Sequence, residues 1–471
     1  MTNPSWSPDL AGRPGARYRA IADALADDIA AGRVAPGTRL PTHRDLAYAL
    51  KVTVGTVTRA YAEAERRGLI AGEVGRGTYV KAARPAAAET WPNVQAAPAA
   101  TNDLVNLSVC QPGAAGVAGA LPALLRELQK SPALLEPLLA YTAHGGLPDH
   151  RAAGAEWLNR QHGLDATPES VLITCGAQNG LAVACATLAR PGDVILTERL
   201  TYFGLKAAVG TLGMRLEGVP IDEDGLLPDA FEAACRQSAP RMLAVVPTLH
   251  NPTTAVLPLE RRHAIAAIAR RHGVMILEDD VFGFLMPSAP PPFQRIAPDI
   301  TVHVNSLSKS VAAGLRIGYL VAPPGLVPRL ESAIRALTYV APALMAEIAS
   351  RWIRDGSADG FARQQREEAA ARQRIAREIL GDDPAVVAPS AGQHLWLKLP
   401  EPWRREEFVA EALRRGVAVT GADAFMVGRA AAPHAVRISL CMPAHREDLR
   451  RGLRTLAETL ASPVTAGLSI V

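Results

Sequence analysis

The stretch that decides the architecture is Asn305-Ser306-Leu307-Ser308-Lys309-Ser310, with Arg316 seven residues after the lysine. Lysine is scarce in this chain: Lys51, Lys81, Lys130, Lys206, Lys309 and Lys398 are all there are, and arginine carries the rest of the positive charge. An amine that condenses with an aldehyde needs a neutral nitrogen lone pair, which a guanidinium does not offer near neutral pH. Lys309 is therefore read as chosen for its nitrogen.

Outward from that stretch, apolar strand-like runs alternate with amphipathic helical segments. The runs are VLITC (171–175), DVILTE (193–198), MLAVVP (242–247), VMILEDD (274–280), TVHVNS (301–306) and RIGYLVAP (316–323). Such alternation predicts a mostly parallel sheet covered on both faces by helices. From about residue 340 a long charged helix around Arg363 to Ile379 and a βαβ-like tail ending in AVRISL (435–440) predict a smaller α+β subdomain.

The amino-terminal part has a different pattern. Ile21, Leu25 and Ile29 recur every four residues, which makes one helical stripe. A second helix is expected from His43 to Leu50 with Thr42 as its cap, and a third from about Thr53 to Arg67, closed by Gly68. Two short strands around Val74-Gly75-Arg76-Gly77 then form a wing. Residues 82–103, rich in Ala and Pro and without period, read as a linker long enough to let the heads be repositioned. The expected division is an amino-terminal head at 14–81, the linker, and 104–471, whose large part spans about 140–335.

Composition sets the bounds. The 471 residues suit about three compact units at roughly 150 residues each. Hydrophobic residues make up 48% and charged ones 20%, with no apolar run approaching the roughly 18 residues of a membrane span. The start MTNPSWSPDL carries no secretory pattern, so a cytoplasmic location with no membrane partner is expected. Five dispersed cysteines without CxxC spacing predict neither a disulfide framework nor a zinc site. His144, His250, His303 and His394 have no metal spacing among them, and no metal is expected. Residues 39–81 hold eight basic side chains against four acids, a balance of +4 that equals the formal charge of the whole chain. A basic surface concentrated there is the footprint of a phosphate-backbone binder.

RLPTHRDLAYAL, TVGTVTRAYAEAERRGLI and GRGTYV resemble the winged helix-turn-helix of GntR-type regulators. That resemblance implies that Arg44 contacts the DNA backbone or a base edge, that Thr53, Thr56 and Thr58 belong to the DNA-facing helix, and that Arg76 with Gly77 carries the wing into the minor groove. Val54 and Gly55 stand where relatives often have arginine, which thins direct base readout.

Residues 104–471 resemble fold type I aminotransferases, and the two halves together resemble the MocR-type subfamily of GntR regulators. The implied fold is multidomain: an α+β winged helix-turn-helix, then an α/β aminotransferase-like domain with a small α+β subdomain. The implied cofactor is pyridoxal 5'-phosphate, in Schiff base with Lys309. Gly176, Ala177 and Gln178 at a helix start and Arg316 would hold its phosphate end, and Ser306 and Ser308 of the lysine motif would be among the cofactor-binding residues. Asp279 would pair with the pyridinium, Tyr202 would stack on the ring, and Asn251 would donate to its phenolic oxygen. Arg437 would grip an effector's carboxylate, and Tyr141 would reach the phosphate of a second subunit in a homodimer. Phe282 stands where relatives place a tyrosine that also donates to the phenolic oxygen.

The function these residues imply is a regulator of transcription that binds double-stranded operator DNA. It would sense an amino acid or a B6-related molecule through the lysine-bound cofactor. The alternative is a working aminotransferase with an appended DNA-binding module; multiple-turnover keto-acid formation separates the two. A third possibility, a cofactor-free dimerisation platform, conflicts with the presence of Lys309, Asp279 and Arg316 together.

Overall fold

In the computed structural model, residues 6–10, 17–30, 33–35, 37–66, 69–73, 77–80, 104–130, 132–381, 385–387, 389, 391–428 and 430–462 are described. The expected linker at 82–103 and the wing-tip residues Val74, Gly75 and Arg76 lie outside them. The chain falls into two units, 1–90 with 429–431 and 91–428 with 432–471.

In the first unit three helices, Arg17–Ala30, His43–Ala49 and Val54–Arg66, are followed by the antiparallel strands Ile70–Glu73 and Gly77–Val80. The second helix begins at Thr42, whose Oγ1 accepts the Asp45 N–H at 3.3 Å and donates to the Asp45 carboxylate at 2.7 Å. The third begins at Thr53, whose Oγ1 accepts the Thr56 N–H at 3.2 Å. Both caps satisfy donors that a helix start leaves open. Ile21, Leu25, Leu46, Val57, Tyr61, Ile70 and Val80 close one small core, and Trp6 is buried with them, its Nε1 donating to Asp28 at 2.7 Å.

The second unit is built on a seven-stranded sheet. Its order is Val171–Thr174, Gly318–Val321, Thr301–Ser306, Met275–Asp279, Met242–Val245, Val194–Glu198 and Arg215–Val219. Gly318–Val321 runs antiparallel to both neighbours and the remaining pairings are parallel. All six runs predicted from the sequence become strands. Arg215–Val219 was not anticipated: its residues, RLEGV, are exposed or half-buried but for Val219, so it lacks the apolar run that marks the others. The inner strands are buried along their whole length but for the half-buried Met275, with apolar clusters on either face.

The tail carries a four-stranded sheet ordered Val386–Val387, His394–Lys398, Ala435–Ser439 and Thr420–Gly421, packed with the helices Ser357–Leu380, Arg405–Arg414 and Arg446–Ala461. The expected βαβ-like tail is corrected here, because each pairing in this sheet is antiparallel. Antiparallel strands place Trp396 opposite Arg437, and Arg437 opposite Thr420. A parallel pairing of Val105–Asn106 with Val417–Ala418 joins the first residues of the unit to this subdomain.

Candidate functional site

Because six strands of the large sheet run the same way, all but Gly318–Val321, their carboxyl ends share one edge, where open α/β sheets bind ligands. Gly176, Tyr202, Asn251, Asp279 and Lys309 all follow or end such strands. They meet at a cavity of about 470 Å³ lined by Ala177, Gln178, Tyr202, Asn251, Asp279, Ser306, Ser308, Lys309, Arg316 and Arg437, with Ser108, Val109, Cys110, Phe203, Val246, Val281 and Phe282.

At one end, Gly176 precedes the helix Ala177–Leu188 with φ +82°. A side chain there would be strained, and its Cβ would lie 2.6 Å from Arg316 Nη2. Arg316 donates to the Cys175 carbonyl at 2.9 Å and to Ser308 Oγ at 3.3 Å. Ser306 Oγ accepts the Ser308 N–H at 3.1 Å. Open helix N–H groups beside a fixed guanidinium and two hydroxyls are a phosphate cradle.

The middle of the cavity holds the carboxylate and the amine. Asp279 is buried at the end of its strand, and its Oδ1 has no hydrogen-bond partner. Burial, then the neighbouring Asp280, pushes its carboxyl up to about 7. Behind it lies a second layer. Burial works against ionisation of Asp280, but His162 at 2.8 Å outweighs it and holds that carboxyl down to about 2. His303 bonds Glu278 at 3.0 Å, and the ligand atoms of His162, Asp280 and His303 come within 4.8 Å of one another. No sequence spacing could show this trio, since the sheet alone brings it together. Lys309 Nζ donates to the Cys110 carbonyl.

At the far end Arg437 is buried, with Nη1 donating to Asn251 Oδ1 at 2.8 Å, Nη2 to the Ser108 carbonyl at 2.5 Å, and its guanidinium 4.9 Å from the Phe425 ring centre. Its Nε is unpartnered, and no carboxylate among the described residues pairs with it. The Asn251 contact fixes which end of that amide is engaged, so Nδ2 is left to donate elsewhere. Phe282 is buried against His394 and offers no hydroxyl.

Tyr141 is not in this cavity: it is 83% exposed, with its ring 4.8 Å from that of Tyr339. In the first unit Arg44, Thr53 and Thr58 are exposed and Thr56 half-buried. Thr53 and Thr56 share a 2.9 Å hydroxyl contact, and Thr58 bonds the Val54 carbonyl at 3.0 Å. Gly77 has φ +119°, and a Cβ on it would come 2.8 Å from Arg39 Nε. Arg76 is outside the described residues. Sequence reasoning missed Ser108, Val109 and Cys110. They lie in a segment with no motif, which the Val105–Asn106 pairing and the bonds of Leu107 and Ser108 to Ser439, Ala418, Thr420 and Arg437 carry over the site.

The orphaned Asp279 oxygen, the glycine-lined cradle and an amine at one cavity fit pyridoxal phosphate. A doubly-wound sheet with these groups defines a fold type I, aminotransferase-like domain. The aminotransferase class I and II profile matches residues 102–456, and that of bacterial regulatory proteins, gntR family, matches residues 17–80. The chain is 29% identical over 456 residues to the uncharacterized HTH-type transcriptional regulator YdeF of Bacillus subtilis, covering 97% of each. It is 29% identical to the HTH-type transcriptional regulator TauR of Rhodobacter capsulatus, over 87% of this chain and 89% of that one. Among solved structures, LysN, the alpha-aminoadipate aminotransferase of Thermus thermophilus complexed with N-(5'-phosphopyridoxyl)-L-leucine, superposes with a TM-score of 0.67 at 25% identity, over 76% of this chain and 92% of that one. The chain belongs to the aminotransferase class I and II family. With its GntR-type head it is a DNA-binding transcriptional regulator whose cofactor is pyridoxal phosphate.

Proposed function

We propose that the chain senses an amino acid or a B6-related molecule at the cavity around Lys309 and converts its binding into a change of affinity for double-stranded operator DNA. The observation that carries this reading is Arg437, a buried guanidinium without a carboxylate partner, facing the same cavity as Lys309. A buried charge lacking a counter-ion is costly, and an effector's α-carboxylate removes that cost.

Bound there, pyridoxal phosphate supplies an electrophilic aldehyde and an electron-withdrawing ring. Lys309 Nζ provides the covalent attachment. Asp279 would hold a proton at the ring nitrogen, Asn251 Nδ2 would donate to the phenolic oxygen, and Tyr202 would cover the ring. Gly176, Ala177, Gln178, Ser306, Ser308 and Arg316 hold the phosphate. In the head, Arg44, Thr53, Thr56, Thr58, Arg76 and Gly77 form the DNA-facing set. Exposed Leu139, Tyr141 and Tyr339 support a homodimer in which Tyr141 reaches the second copy. The setting is the cytoplasm. An effector shifts DNA binding only if it favours one state over the other, because equal affinity shifts nothing.

The test is a titration of the full chain with amino acids and B6 vitamers, reading the visible spectrum of the bound cofactor and DNA affinity together. A compound that moves both supports the reading. Spectral changes that leave DNA affinity untouched for every compound overturn it, and multiple-turnover keto-acid release then favours an enzyme.

A further inference from the structure

The cavity wall missed by the sequence holds a thiol pair. Cys110 Sγ and Cys441 Sγ are 3.5 Å apart, although 331 residues separate them. Each is buried, and each faces a different space. Cys110 lines the cofactor cavity, while Cys441 lines a second cavity of about 360 Å³ whose wall includes the exposed Gly113, Gly116, Gln364 and Ala444. A peroxide-sized molecule thus has a space beside either sulfur. Cys175, Cys185 and Cys235 have no thiol partner of this kind among the described residues.

From this juxtaposition we propose that Cys110 and Cys441 form a reversible dithiol–disulfide couple that reports hydrogen peroxide to the cofactor site. The Cys110 sulfur attacks one peroxide oxygen, the O–O bond breaks and water leaves, giving a sulfenic acid on Cys110. The Cys441 sulfur then attacks that sulfur, the S–O bond breaks and a second water leaves. Two electrons pass from the thiols to the peroxide, and the two thiol protons leave in the two waters.

Surroundings favour Cys110 as the attacking sulfur. In the cofactor-free chain the hydrogen bond from Cys441, and the charges of Lys309 and His394, outweigh burial and lower its thiol pKa, whereas burial raises that of Cys441. The thiolate is the nucleophile in such steps. Gln393 Oε1 lies 3.7 Å from Cys110 Sγ, and Gln393 Nε2 donates to the Lys309 carbonyl at 3.3 Å.

The bond would be felt at the site because its two ends hold site residues. A disulfide needs its sulfurs about 2.05 Å apart, so closing the 3.5 Å gap moves the two sulfurs by over 1 Å in total and pulls on the segments that carry them. The Cys110 segment supplies the carbonyls that accept from Lys309 and Arg437, and Cys441 follows the strand that carries Arg437. Weakening one such contact changes cofactor or carboxylate affinity by roughly fivefold to tenfold.

The full-length chain, with and without bound cofactor, is treated with hydrogen peroxide, remaining thiols are blocked, and peptides are mapped by mass. The expected result is a Cys110–Cys441 linked peptide that disappears on dithiothreitol, with reversible loss of about fivefold to tenfold in affinity for pyridoxal phosphate. Cys441→Ser, probed for the sulfenic acid, should trap it on Cys110. Oxidation that marks the half-buried Cys175 and leaves residues 110 and 441 unlinked overturns the couple. Linkage with unchanged cofactor and amino acid affinity overturns the reporting role.

Discussion

The two units place their functional side chains in opposite ways. In the head Arg44, Thr53 and Thr58 stand in solvent on a scaffold held by a few apolar residues. In the larger unit Asp279 and Arg437 are buried, as are Asp280, His303, Cys110 and Cys441, which oppose or support their charges. The difference teaches how each part is tuned. Exposed charges are screened by salt and contribute separately, whereas buried ones act strongly and through one another. Substitutions should therefore cost little and add up in the head, and cost much and couple in the cavity.

The sharpest way to break this contrast is Lys309→Ala. Cofactor captured by borohydride reduction should vanish by mass spectrometry, while DNA affinity in the absence of cofactor changes less than tenfold. A variant that still traps cofactor would remove Lys309 from its role.

Asp279→Asn comes next, with opposite effects on two measurements. Cofactor affinity should fall roughly tenfold to a hundredfold, the cost of a lost hydrogen bond to a charged group. Without cofactor, the Asp279 carboxyl sits near 7 in the fold against an ordinary 3.8, so folding takes up a proton. That contribution to stability is complete below about 4 and is lost as pH rises through about 7. The cofactor-free variant should melt a few degrees above wild type at pH 8 and no higher at pH 4. Equal melting shifts at both pH values would contradict the burial argument.

Gly176→Ala tests the cradle. Its positive φ and the 2.6 Å approach to Arg316 Nη2 predict a loss of about 1–3 kcal/mol in stability, with weaker retention of inorganic phosphate. Chemical denaturation of the cofactor-free chain measures the first. An unchanged midpoint would mean that Arg316 swings aside at no cost.

The smallest effect belongs to the head. Arg44→Ala should weaken DNA binding a few-fold for all sequences and lower the salt dependence by about one phosphate contact. A large, sequence-selective loss would make Arg44 a base reader and blur the contrast between the units.

Much of this was legible in the chain because the chemistry is local. Thr42 and Thr53 announce helix starts within three residues, and Lys309 follows a strand begun by the β-branched Thr301, Val302 and Val304. The strand at Arg215–Val219 was not legible, since an edge strand has no need of a continuous apolar run. Nor was the antiparallel register of the tail, because local pattern does not encode which strand becomes a neighbour.

The sequence by itself determined the two-part organisation, the cofactor chemistry and most of the polar groups that line the cavity, because most of them are written as residue types beside a strand end or helix start. Tertiary structure alone decided what surrounds those groups. Cys110 meets Cys441 and Lys309, His162 meets Asp280, and Ser108 caps Arg437 only after strands far apart in the chain pair. Charge and reactivity in a buried site depend on those distances, and sequence spacing carries no record of them.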